Sequence, residues 1–152
     1  MKTDSNPLLK IVYGLAAVIA LFTGFGNMPL WKRYYVADIP GLGWSGDFLI
    51  NLNVHILAGS ILVALAVYAA LGSLMDRRPL QARLSFSGKV RASLLGLALA
   101  TGIVMVVKNM PGVHLPMTAL VASNLAHMGA AVLFMIAAVI ALIFRQPWRQ
   151  TP

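Results

Sequence analysis

Four long apolar stretches dominate this sequence and restrict what it can fold into. They cover residues 9–25, 48–75, 90–107 and 117–144. The hydrocarbon core of a bilayer is about 30 Å thick and is crossed by roughly 20 helical residues, each rising about 1.5 Å. Of the 152 residues, 59% are hydrophobic and 11% are charged, which is unlike an ordinary soluble domain. The sequence therefore predicts an all-α integral membrane protein, a single-domain four-helix up-down bundle over residues 1–152.

The lysines and arginines fall mainly on one side of the membrane if the four spans alternate in direction. Nine lie on the side of the termini and the middle loop, and the other three are Lys32, Arg33 and Lys108. Because cytoplasmic segments carry the excess of positive charge, both termini are predicted to be cytoplasmic, and loops 28–47 and 109–116 to lie outside. The pattern is typical of a multi-pass protein of a bacterial-type inner membrane. It also accounts for the net charge of +8 without a nucleic-acid partner.

The residue types missing from the chain exclude several functions. It has no cysteine, and its four acidic residues are aspartates outside the predicted spans. It therefore holds no thiolate-ligated iron–sulfur cluster and no disulfide of its own. A proton relay or cation site within the membrane would need carboxylates that the spans lack. An ion-coupled transporter and a hydrolase are both disfavoured.

Two histidines lie inside predicted spans, where a hydrated, titratable imidazole is costly. His55 is in the second span and His127 in the fourth, and both of these spans run from outside to inside. His55 lies about 10 Å along the helix from residue 48, and His127 lies about 12 Å from residue 119. The two imidazoles are therefore predicted at one level, in the outer half of the bilayer.

The surroundings of the two histidines are also alike. Gly59 follows His55 by four residues and Ala131 follows His127 by four, which places a small residue one turn deeper on the same helix face. Short polar residues, Asn51 and Ser123, precede the two histidines by one turn. The second nitrogen of a metal-binding imidazole needs a partner, which is expected to be a backbone carbonyl one turn back or a nearby polar side chain. The pattern is typical of one haem b with His55 and His127 as axial ligands of the iron. The alternatives are histidines that only form interhelical hydrogen bonds and small residues that only pack; zinc would need more ligands than this depth offers.

The predicted outer loops contain further candidates. Aromatic side chains near Lys32 and Arg33 form either an interfacial belt or a cap over a cofactor or partner; they are Trp31, Tyr34, Tyr35 and Trp44. On the second interpretation, Lys32, Arg33 or Lys108 would pair with the carboxylates of a cofactor. His114, in the other outer loop, is either simply exposed or contacts a quinone headgroup, a proton path or a redox partner.

The four spans, the outer loop "TGFGNMPLWKRYYVADIPGLGW" and the early histidines of spans two and four resemble one family. It comprises the membrane-bound cytochrome b subunits of respiratory formate dehydrogenases and related hydrogenases and thiosulfate reductases. The resemblance implies that His55 and His127 bind the haem nearest the outer face. Family members commonly hold a second, inner haem through a histidine in span one and another later in span four. This chain has neither, so one haem is expected.

The resemblance implies an electron-transfer subunit rather than a self-contained enzyme. It would anchor a respiratory complex and pass electrons between menaquinone or ubiquinone and an extracytoplasmic iron–sulfur or multihaem subunit. The polar residues at suitable depth for a quinone are Asn51, Asn53, Asn124, Asn109 and His114. The alternative is a haem-free anchor or assembly subunit, in which the histidines only pack.

Overall fold

Four long helices make up most of the protein in a computed structural model that describes residues 6–28, 35–75 and 84–149. The helices are α1 (Pro7–Gly26), α2 (Phe48–Met75), α3 (Phe86–Val107) and α4 (Met117–Ile143). Each is long and apolar enough to cross a membrane, and the described ranges contain no strand. The prediction of an all-α protein with four membrane-spanning helices is therefore confirmed.

Polar capping residues set where three of the helices begin. The Asn6 side chain accepts a hydrogen bond from the Leu8 N–H at 3.0 Å, and the Ser85 hydroxyl accepts one from the Gly88 N–H at 2.9 Å. The Asp47 carboxylate accepts from two N–H groups in the first turn of α2, at 2.9 and 3.0 Å. These bonds satisfy donors that have no partner inside the helix. Helices α1 and α3 therefore begin earlier than the apolar stretches alone predict.

The chain forms two compact units, Met1–Tyr68 and Ala69–Pro152. The first contains α1 and most of α2, and we call these the N-terminal hairpin. The second contains α3 and α4, which we call the C-terminal hairpin. Hydrogen bonds join the two helices within each hairpin, as described below for the histidines.

The loop between α1 and α2 packs onto the end of α1. Its described part forms two short 3-10 turns, Val36–Asp38 and Gly43–Gly46. The Trp44 ring lies 5.9 Å from the Phe22 ring between centroids, tilted by 43°. The predicted loop residues Trp31 to Tyr34, which include Lys32 and Arg33, lie outside the described residues.

A buried arginine ties the C-terminal segment to the start of α3. One guanidinium nitrogen of Arg91 donates to the Gln146 and Pro147 carbonyls at 3.3 and 3.2 Å. The same guanidinium stacks over the Trp148 ring, 4.1 Å from its centroid. The Ser85 hydroxyl donates to the Pro147 carbonyl at 2.6 Å. The cation thus satisfies carbonyls just past the end of α4, where a positive charge is also favoured by the helix dipole.

We expect Arg91→Met to lower the free energy of unfolding by about 2 kcal/mol, because charge-assisted hydrogen bonds and a cation–π contact are lost together. Thermal unfolding of the purified protein in detergent measures the change. Lys89→Met is the matched control, because Lys89 lies two residues before Arg91 in α3 and its side chain is exposed. Equal unfolding midpoints for the two variants would contradict the assigned role of Arg91.

Candidate functional site

The imidazole of His55 is held by α1 through one ring nitrogen. Its Nδ1 lies 2.9 Å from the Ala20 carbonyl oxygen and 3.1 Å from the Thr23 hydroxyl. A carbonyl only accepts, so Nδ1 carries the proton. The Thr23 hydroxyl donates its own hydrogen to the Ile19 carbonyl at 2.6 Å and therefore accepts from the imidazole. We assign the Nδ1–H tautomer, in which Nε2 carries the electron pair that can bind a metal.

His127 is held by α3 in the same way. Its Nδ1 lies 2.8 Å from the Ala98 carbonyl oxygen and 3.3 Å from the Thr101 hydroxyl. The Thr101 hydroxyl donates to the Leu97 carbonyl at 2.7 Å, so it too presents an acceptor to the ring. His127 is therefore assigned the same Nδ1–H tautomer as the first histidine.

A glycine allows each ring to lie against its neighbouring helix. A Cβ added to Gly24 would stand 3.2 Å from His55 Cε1, and one added to Gly102 would stand 3.2 Å from His127 Cε1. Both distances are tighter than ordinary carbon contacts, which lie near 3.5–4.0 Å. A side chain at either position would force the imidazole to shift by a few tenths of an ångström.

The helices that carry the histidines pack through equivalent positions. The residues three and seven places after each histidine share its helix face and are buried. They are Ala58 (3% exposed) and Leu62 (5%) in α2, and Ala130 (3%) and Phe134 (5%) in α4. The two hairpins are therefore also equivalent in the buried side chains through which their helices pack.

The two hairpins are therefore internal repeats of one structural unit. The sequence "ALFTG" at residues 20–24 supplies the carbonyl, hydroxyl and glycine around the first histidine, and "ALATG" at 98–102 supplies them around the second. We call these two arrangements the N-terminal and C-terminal half-sites. The repeat of Ala-Leu-x-Thr-Gly is the sequence signal for these half-sites, and neither hydropathy nor the spacing of the histidines indicates it.

Asn51 distinguishes the N-terminal half-site from its counterpart. Its side chain is fully buried, and Nδ2 donates to the Thr23 carbonyl and to Asn27 Oδ1, both at 2.9 Å. Its Oδ1 is buried without a hydrogen-bond partner. The equivalent residue of α4, Ser123, instead bonds the Leu120 carbonyl of its own helix at 3.0 Å. Only the N-terminal half-site is thus reinforced by an amide between its two helices.

The two small residues predicted beside the ligand lie next to the packed face. Gly59 and Ala131 are both half-buried. A Cβ built on Gly59 would meet no atom within 4 Å, so packing does not require glycine there.

The other predicted site residues are more exposed. Lys108, predicted to pair with a cofactor carboxylate, caps the end of α3 and is half-buried. Four of the quinone candidates are exposed: Asn53, Asn124, Asn109 and His114. The Asn109 amide donates to the Met105 carbonyl of α3 at 3.2 Å. Asn51 differs from all of them because its side chain is buried within its hairpin.

Comparison of the chain with protein-family models, with curated proteins and with solved structures found no match.

Asn51→Ala is expected to destabilise the protein by roughly 1–2 kcal/mol, because it removes interhelical hydrogen bonds and leaves a cavity. Unfolding in a detergent series measures the loss. Asn53→Ala, two residues away and exposed, serves as the matched control and should leave stability within about 0.5 kcal/mol of wild type. An Asn51 variant as stable as the Asn53 variant would contradict the structural role.

Proposed function

We propose that the protein is a membrane-anchoring b-type cytochrome subunit of a respiratory redox complex, with one haem b bound by His55 and His127. The observation that carries the proposal is the hydrogen bonding of the two Nδ1 atoms. Each donates to a helix carbonyl at 2.9 or 2.8 Å and lies close to a threonine hydroxyl. This arrangement directs the electron pair of each imidazole to Nε2.

The chemistry of this donor set fits haem ligation. Histidines that bind metals almost always donate their other ring N–H to a carbonyl, carboxylate or water, which fixes the tautomer and the orientation of the ring. Two half-sites with the same tautomer would supply two histidine ligands for the iron of a b-type haem. Haem supplies a one-electron carrier, and the protein supplies ligation, orientation and an apolar setting.

The neighbouring residues support the same proposal. Gly59 leaves room one turn along from His55, and Ala131 is the small residue at the equivalent position of α4. A larger side chain at either position would obstruct a flat ring. Lys108 is half-buried at the end of α3. We propose that Lys108, Lys32 or Arg33 pairs with a haem carboxylate.

The proposed electron path connects a quinone with a partner outside the membrane. The headgroup of menaquinone or ubiquinone would bind among exposed polar side chains, of which Asn53, Asn124, Asn109 and His114 are the candidates. Asn51 is a poorer candidate because its buried amide already bonds α1. An iron–sulfur or multihaem subunit at the predicted outer face would complete the chain of carriers. The positive-inside pattern supports a bacterial-type inner membrane with cytoplasmic termini.

The difference spectrum of dithionite-reduced minus oxidised protein tests the haem. Wild type is expected to show b-type bands, and His55→Ala and His127→Ala are each expected to lose most of the bound haem. His114→Ala is the matched control, because it removes an exposed imidazole from the loop before α4, and it should retain the full spectrum.

Purified wild-type protein without haem, expressed under conditions that load other b-type cytochromes, would contradict the proposal. Full spectra in both ligand variants would do the same. Either result would favour a haem-free anchor, in which the histidines serve only to join helices.

A quinone analogue is expected to perturb the haem spectrum or its midpoint potential, since the proposed binding residues lie in the same outer half as the histidines. Titration of reduced protein with the analogue measures the response. Wild type that does not respond at saturation would contradict a quinone site beside the haem.

A further inference from the structure

We infer that Thr23 and Thr101 are positioning residues that set the orientation of the two histidines and the redox potential of the site. The inference rests on the proposed function and deepens it. Each hydroxyl lies within hydrogen-bond reach of a histidine Nδ1, at 3.1 Å for Thr23 and 3.3 Å for Thr101.

Each threonine is oriented so that its oxygen, not its hydrogen, faces the imidazole. The hydroxyl hydrogen is donated to a carbonyl four residues back in the same helix, at 2.6 Å for Thr23 and 2.7 Å for Thr101. Ser60 makes the same kind of backbone bond at 2.9 Å on an exposed surface. The bond to the helix is therefore ordinary, and what distinguishes the two threonines is the lone pair that each directs at a histidine.

Two acceptors one turn apart constrain the direction of each N–H bond. In the N-terminal half-site they are the Ala20 carbonyl and the Thr23 hydroxyl, and His55 Nδ1 lies between them. A single carbonyl would leave the ring freer to rotate about the bond to Cβ. With both acceptors the plane of the imidazole is set by α1, and the same holds for His127 and α3.

The acceptors also change the electronic character of the ligand. Hydrogen bonds accepted from Nδ1–H increase the electron density at Nε2, which favours the ferric over the ferrous state and lowers the potential. In an apolar setting this effect is stronger than in water. Removing a threonine hydroxyl should therefore raise the potential. The shorter contact predicts the larger shift for Thr23.

The test is a redox titration of the purified full chain, together with electron paramagnetic resonance of the ferric protein. Thr23→Val and Thr101→Val keep the side-chain shape and remove the acceptor, and each should shift the midpoint potential upward and change the g values. Thr23→Ser and Thr101→Ser restore the hydroxyl and should return both readouts towards wild type. Thr118→Val, at an exposed position of α4, is the control and should change neither.

A second pair of variants tests orientation without touching the acceptor. Gly24→Ala and Gly102→Ala place a methyl group 3.2 Å from the Cε1 of each histidine and should change the g values by rotating the ring. Gly14→Ala and Gly96→Ala add the same methyl group where no atom lies within 4 Å, so they should preserve the wild-type signal.

The outcomes separate this inference from the proposed function. Valine variants that bind haem with wild-type potential and g values would overturn the positioning role while the haem assignment stands. Valine variants that lose haem support the role if the serine variants keep it, and overturn it if the serine variants lose haem equally. Wild-type protein without haem would overturn the proposed function and this inference together.

Discussion

The hydrogen bond from a histidine Nδ1–H to a carbonyl of the neighbouring helix is the interaction around which both hairpins are built. Donor and acceptor are 2.9 Å apart in the N-terminal half-site and 2.8 Å in the C-terminal one. An imidazole in an apolar span is tolerated because this bond satisfies one nitrogen and fixes its tautomer. The threonine, the glycine and the buried face of the second helix all serve to bring ring and carbonyl together. The packing of each hairpin and the tautomer of its imidazole therefore depend on the same few atoms.

Hydropathy and spacing were enough to predict the helices and to select His55 and His127. The length of an apolar run is a local property, and a histidine within one is conspicuous. Partners on another helix were beyond the same reasoning, because they depend on which helices pair and in which register. The partner predicted for the second imidazole nitrogen was therefore a carbonyl one turn back or a nearby polar side chain such as Asn51 or Ser123. The bonded acceptors instead belong to Ala20 and Ala98, which look like ordinary helix formers.

Arg91 illustrates the same difficulty with charge. Counted along the chain, it is one more basic residue on the predicted cytoplasmic side. In the structure it is buried, and its acceptors, Gln146 and Pro147, lie more than fifty residues away in sequence. The positive-inside pattern describes where such a residue lies relative to the membrane and carries no information about what it bonds. Arg91 therefore contributes both to the predicted membrane topology and to a tertiary contact.

The contact of the C-terminal segment with the start of α3 has a consequence for electron transfer on the proposed function. The C-terminal hairpin is joined by the α3–α4 loop at one end and by Arg91, Ser85 and the Pro147 carbonyl at the other. Helices connected at both ends resist splaying when the charge on a bound haem changes. A ligand held in such a frame, as His127 is, would move little between oxidised and reduced states. Its contribution to the reorganisation energy would be correspondingly small, since the dipoles around it are already in place.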